Sequence, residues 1–158
     1  MTENILTENI EQTKKRALKI LGSRNFSKQE MIKRLTLKGE SQANAEETVE
    51  WLCELGYIDD SGYATLIVRH YTQKGYGTAR IKDELYKRGI DREIWDEKLA
   101  EADESETGDA ALEFLKKKLR GSDDEDDLKR AFNALVRRGF SFDEARAAVN
   151  KYKDGEDN

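Results

Sequence analysis

Few side chains in this 158-residue sequence could do covalent or metal chemistry, since it holds one histidine and one cysteine. Cys53 stands with Val49 and Leu52 at helical spacing and reads as a small core residue rather than a nucleophile. His70, between Arg69 and Tyr71, has no second imidazole or thiol at ligand spacing, so it reads as a packing or surface residue. The pair Asp59-Asp60 could hold a cation, but it lies just before Tyr63, where Asp60 or Ser61 is suited to cap a helix. There is no Gly-rich phosphate loop, no His-containing metal spacing and no nucleophile with a base at hand. The sequence therefore predicts no catalytic residue, no cofactor and no metal, and a binding protein rather than an enzyme.

Charge and tyrosine are what remain. A basic side runs through the first half: Lys14, Lys15, Lys19, Arg24, Lys28, Arg34, Lys38, Arg69, Lys74 and Arg80. Two basic pairs follow, Lys87-Arg88 and Arg137-Arg138, and an acidic run occupies residues 123–127. Residues 11–90 carry a net +4, residues 91–158 a net −7 and the first ten residues −2. The pairs could simply complement helix carboxyl ends, and the acidic run a helix amino end. Opposite signs at the two ends of one body suit a partner with its own charge pattern. Tyr57, Asp59, Asp60 and Tyr63, at one joint of the chain, complete the candidate contacts.

The elements that must position these residues are legible from an internal repeat. Gly39, Gly89 and Gly139 fall 50 residues apart. The same offset relates Leu35, Leu85 and Leu135, then Lys38, Arg88 and Arg138, then Ser41, Asp91 and Ser141. Ser27, Gly77 and Asp127 read as N-caps, with Ser27 and Glu30 forming a capping box. The glycine twelve residues later suits the left-handed position that stops a helix, with a cation in the last turn. Ser41, Asp91 and Ser141 cap the next helix, and Ser141 with Glu144 makes a second capping box. A third helix precedes each pair, with apolar positions at Ile10, Ala17, Leu18 and Leu21, then Ala64, Ile67, Val68 and Tyr71, then Ala111, Leu112, Leu115 and Leu119.

The expected fold is all-α: three tandem three-helix repeats with a 50-residue period, elongated and free to curve. The expected units are residues 1–58, 59–105 and 106–153, with a disordered tail at 154–158. The joints are expected at Gly56–Gly62 and along the acidic stretch Glu101–Asp109. Hydrophobic residues make up 37% and charged residues 39%, which predicts much surface per unit of core, and the absence of proline suits helices end to end. No apolar run approaches the roughly 18 residues of a membrane span. The opening residues MTENILTENIEQ resemble neither a signal nor a transit peptide. A reducing cytoplasm is the expected compartment.

The order of these residues resembles that of the RecX family of bacterial RecA regulators. The resemblance lies in Ser27-x-x-Glu30 leading through Arg34-Leu35 to Lys38-Gly39, then Trp51-Leu52 and Gly56-Tyr57-Ile58-Asp59-Asp60 followed by Tyr63-Ala64. It continues through Gly77, Arg80-Ile81, Glu84-Leu85-x-x-Arg88-Gly89-Ile90, Lys117-Lys118 and Arg137-Arg138-Gly139-Phe140-Ser141. It implies three tandem three-helix units and binding to the RecA–DNA filament, with the body in the filament's helical groove. It also implies restraint of filament extension, ATP hydrolysis, strand exchange and repressor cleavage. The expected partner is thus the RecA filament, with room for weak direct DNA contact, no membrane, and a monomeric protein. A second expectation comes from the tight turn between the second and third helices, which is like a helix-turn-helix: a direct DNA-binding repeat protein.

Overall fold

A computed structural model describes the backbone of residues 2–101 and 104–155, and the side chains of residues 9–101 and 107–155. Among the described residues the secondary structure is entirely helical. The first unit contains α1 (Thr2–Leu21), α2 (Lys28–Leu37) and α3 (Gln42–Glu54). The second contains α4 (Asp60–Gln73), α5 (Thr78–Lys87) and α6 (Arg92–Glu101), and the third α7 (Glu104–Leu119), α8 (Glu125–Arg137) and α9 (Phe142–Asp154).

Each triplet closes its own core. Ala17, Phe26, Met31, Leu35, Val49, Leu52 and Ile58 pack together in the first. Ala64, Ile67, Ile81, Leu85, Ile90 and Trp95 fill the second, and Leu115, Leu128, Leu135, Phe140 and Ala145 the third. The chain exposes 10514 Å², against about 8,100 Å² for a compact monomer of 18.2 kDa. Three small cores in series account for that excess, so the body is extended.

The repeated columns do what local chemistry demands. Both capping boxes form, Ser27 with Glu30 and Ser141 with Glu144, and Ser41 accepts from the Asn44 amide. Gly39, Gly89 and Gly139 have φ of 98°, 73° and 101°, the left-handed region that ends a helix without a Cβ penalty.

Several local expectations are corrected. Asp127 is not an N-cap: α8 starts a turn earlier, after Asp124, because Glu125, Asp126 and Asp127 all favour a helix amino end. The Asp127 carboxylate instead accepts from the Ser122 hydroxyl at 2.7 Å and from Arg130 at 3.1 Å. In α4 the cap is Asp59, whose carboxylate accepts from the Gly62 amide at 3.1 Å, rather than Asp60 or Ser61. The stretch from Glu104 to Asp109, expected as part of a joint, is already the first part of α7. Helix α9 continues through Asp154 to a left-handed Gly155, and the remainder of the expected tail, 156–158, lies outside the described residues. On α1, Leu18 is exposed, and its expected place is taken by Thr13. The Thr13 hydroxyl lies 2.9 Å from the Asn9 carbonyl and 2.6 Å from the Glu40 carboxylate, which satisfies it on the buried face.

Candidate protein-binding surface

The units are joined helix end to helix end, and the joint occurs twice. The Gly77 amide donates to the Arg138 carbonyl at 2.8 Å and the Ala79 amide to the Gly139 carbonyl at 3.1 Å. The amino end of α5 thus receives the carboxyl end of α8. At the other joint the buried Ser27 hydroxyl donates to the Arg88 carbonyl, so the amino end of α2 receives the carboxyl end of α5. In both, amides or a hydroxyl at a helix start meet carbonyls left unpaired at a helix stop. The Asp60 carboxylate strengthens the first joint by accepting from the Lys28 amide at 2.9 Å, and burial holds its pKa above the usual carboxylate range.

This joint sorts the sequence-derived candidates. Arg138 reaches back into the second unit and donates to the carbonyls of Lys74 at 2.9 Å and Gly75 at 3.2 Å. Its guanidinium lies 4.5 Å from the centre of the Tyr76 ring and 4.7 Å from that of Phe114. Arg88 donates to the Tyr63 hydroxyl at 2.6 Å and lies 3.8 Å from the buried Glu84. Arg80 pairs with Glu84 at 3.3 Å, Lys87 with Asp83 at 3.1 Å, and Arg24 with Glu30 at 3.2 Å. Asp59 and Asp60 serve helix starts, and Tyr63 is half-buried under Arg88.

Lys15, Lys19, Arg34, Lys38, Arg69, Lys74 and Arg137 differ from these. They are exposed, and their charged groups make no ion pair or hydrogen bond among the described residues. Tyr57 is 62% exposed just before the start of α4. Cys53 packs against the first core, and burial pushes its thiol pKa up, which keeps it protonated and unreactive.

Arg69, Lys74 and Arg138 come together along a cleft of about 830 Å³ between α4 and α7, joined there by Lys98 and Lys117. Sequence reasoning did not select Lys117 as a contact. Its signal was the run Lys116-Lys117-Lys118 in the last turn of α7, but a run of three fans out around a helix, and only the fold shows which member faces the cleft. Lys15, Lys19, Arg34, Lys38 and Arg137 lie outside this cleft. Among the described residues no group of three or more His, Cys, Asp or Glu side chains could hold a metal ion, and no helix is long and apolar enough to cross a membrane.

Three three-helix units, each with its own core and joined end to end, with free cations on an extended body, define a helical-repeat architecture that known proteins share. The family model described as the second three-helix domain of RecX matches residues 59–99, which is α4 through most of α6. The regulatory protein RecX of Xanthomonas axonopodis pv. citri is 33% identical over 136 residues, covering 85% of this chain and 83% of its own. That of Vibrio campbellii is 29% identical over 140 residues, covering 87% and 90%. The crystal structure of RecX from Lactobacillus salivarius superposes with a TM-score of 0.85 at 20% identity, over 93% of this chain and 98% of that one, and shows the same fold. The chain belongs to the RecX family.

Proposed function

We propose that this protein regulates the RecA recombinase by binding the RecA–DNA filament. The observation that carries the reading is family membership across most of the chain with all three helical units in place. The extended body lies along the helical groove of the filament and restrains filament extension, ATP hydrolysis, strand exchange and coprotease activity. It acts as a monomer in the cytoplasm and without catalysis of its own. The three expected units, 1–58, 59–105 and 106–153, bind together. Contact falls to the cations free of internal partners, namely Lys15, Lys19, Arg34, Lys38, Arg69, Lys74 and Arg137, with Tyr57.

Direct reading of DNA by the units as helix-turn-helix modules has less support. The helices that would enter a major groove are α3, α6 and α9. Helix α3 carries four glutamates and no cation, α6 carries four acids against two bases, and α9 three against three. A polyanion is repelled by α3 and α6 and gains no net attraction from α9.

The test is the ATPase rate of RecA on single-stranded DNA, titrated with this protein from substoichiometric to equimolar ratios. Inhibition well below one molecule per RecA subunit is the expected result. No effect at equimolar protein would overturn the reading.

A further inference from the structure

The cleft between α4 and α7 carries exposed cations that neither the joint nor the cores require. Its floor is apolar, formed by Val68 and the half-buried Phe114. At its walls stand Arg69, Lys74 and Lys117, exposed cations without ion-pair partners among the described residues. Arg138 is held at its edge by the Lys74 and Gly75 carbonyls and by the two aromatic rings, so one cation of the cleft is already immobilised. Holding a cation in place before the ligand arrives reduces the ordering cost of binding.

We propose that this cleft binds an acidic segment of a partner protein, with one large apolar side chain seated on Val68 and Phe114 and flanking carboxylates facing Arg69, Lys74 and Lys117. The mixed lining decides between partner classes. Nucleic acid held without sequence preference needs a uniformly positive track along its backbone. Three carboxylates, Glu101, Asp109 and Glu113, share the walls. Glu101 and Glu113 are paired with Lys98 at 3.6 Å and Lys116 at 3.9 Å, which leaves Asp109 as the acid free of an ion pair. A phosphate backbone with a charge at every residue cannot avoid these acids, whereas a peptide with a few spaced carboxylates can. Exposed ion pairs contribute little each, so the apolar contact must supply affinity while the cations set orientation and rate.

The cleft shares Arg69 and Lys74 with the filament reading, but its test contains no RecA, so either can fail without the other. The full chain is titrated into a fluorescein-labelled twelve-residue peptide of alternating Asp and Glu around a single central Phe, followed by anisotropy. Wild-type protein is expected to bind, and the double variant Arg69→Glu/Lys117→Glu at least tenfold more weakly with unchanged helicity by circular dichroism. The exposed substitution Lys129→Glu, outside the cleft, is expected to leave binding as it was. Absence of peptide binding to wild-type protein would overturn the proposal, as would equal binding by the double variant. Binding of a fifteen-residue oligothymidylate through Arg69 and Lys117, with no peptide bound, would overturn it in favour of nucleic acid.

Discussion

Replacing Gly77 with alanine isolates the joint between the second and third units from everything else in the fold. Gly77 sits at φ −89° and ψ 173°, a conformation any residue adopts, so alanine brings no backbone strain there. A Cβ at this position would lie 2.3 Å from the Gly139 carbonyl carbon and 2.4 Å from the Phe140 nitrogen. Both are backbone atoms and cannot swing aside, so α5 and α8 must separate. Separation breaks the Gly77–Arg138 and Ala79–Gly139 bonds, each worth about 0.5–1.5 kcal/mol net, or about 1–3 kcal/mol together. The Ala79 amide lies in the first turn of α5, where it has no partner within its own helix. Its hydrogen exchange should therefore accelerate by about 5- to 150-fold, the factor that such a loss implies. Amides in the middle of α4 and α8 should keep their protection, because each unit retains its own core. Gly39→Ala is the control: nothing lies within 4 Å of its Cβ position, but its φ of 98° disfavours alanine. It should destabilise only the first unit, by about 1–2 kcal/mol. A folded Gly77→Ala protein with Ala79 as protected as in wild type would refute end-to-end joining.

Three further expectations follow from the same geometry. Arg138→Gln removes two charge-assisted bonds to the second unit and should lower stability by about 1.5–3 kcal/mol in urea unfolding, whereas a loss within error would show that the contact is incidental. Burial raises the Asp60 pKa above its unfolded value, so the folded state holds that proton more tightly and the group's contribution to stability grows as pH falls from neutral through its raised pKa toward the unfolded value. Asp60→Asn can still accept from the Lys28 amide, so the stability of wild type relative to this variant should rise between pH 7 and pH 4, and a flat difference would contradict the burial argument. Cys53 should react with a disulfide reagent far more slowly in the folded protein than in urea, and equal rates would show that the thiol is not shielded.

The helices and their stops were legible because their signals are local. Ser27 with Glu30, Ser141 with Glu144, and the glycines at 39, 89 and 139 act within a few residues of themselves, and the structure uses each as its type predicts. The triplet cores were legible through spacing, with Leu35, Leu85 and Leu135 each fully buried. What was hidden joins residues about sixty apart. Ser27 reads as a cap whether or not its hydroxyl also meets Arg88, and Gly77 reads as an acceptable N-cap with no sign that α8 lies against it. Lys38, Arg88 and Arg138 form one column in the sequence yet face three surroundings. Lys38 is exposed, Arg88 turns to Tyr63 in its own unit, and Arg138 crosses to the unit before. Thr13 escaped a search for apolar faces because its burial depends on Glu40, which arrives from the turn after α2.

The joints also explain how the charge of this chain can serve a partner without weakening the body. Units that close their own cores need little apolar area between them, so they are held by amides, carbonyls and a few fixed side chains at helix ends. Joining α8 to α5 and α5 to α2 sets carbonyl ends against amide ends, an arrangement the helix dipoles favour at no cost in surface cations. Arg138 is consumed at its joint and Arg88 within its own unit, both at carboxyl ends, where a cation is most useful to the fold. The cations on the outward faces of α1, α2 and α4 are not needed for cohesion. Lys38 shows the distinction most directly, because its turn is the counterpart of the two joint turns but nothing packs against Gly39. The same column thus supplies a bond between units at Arg138, a bond within a unit at Arg88 and, among the described residues, a free charge at Lys38, and the repeat itself divides the basic residues between stability and binding.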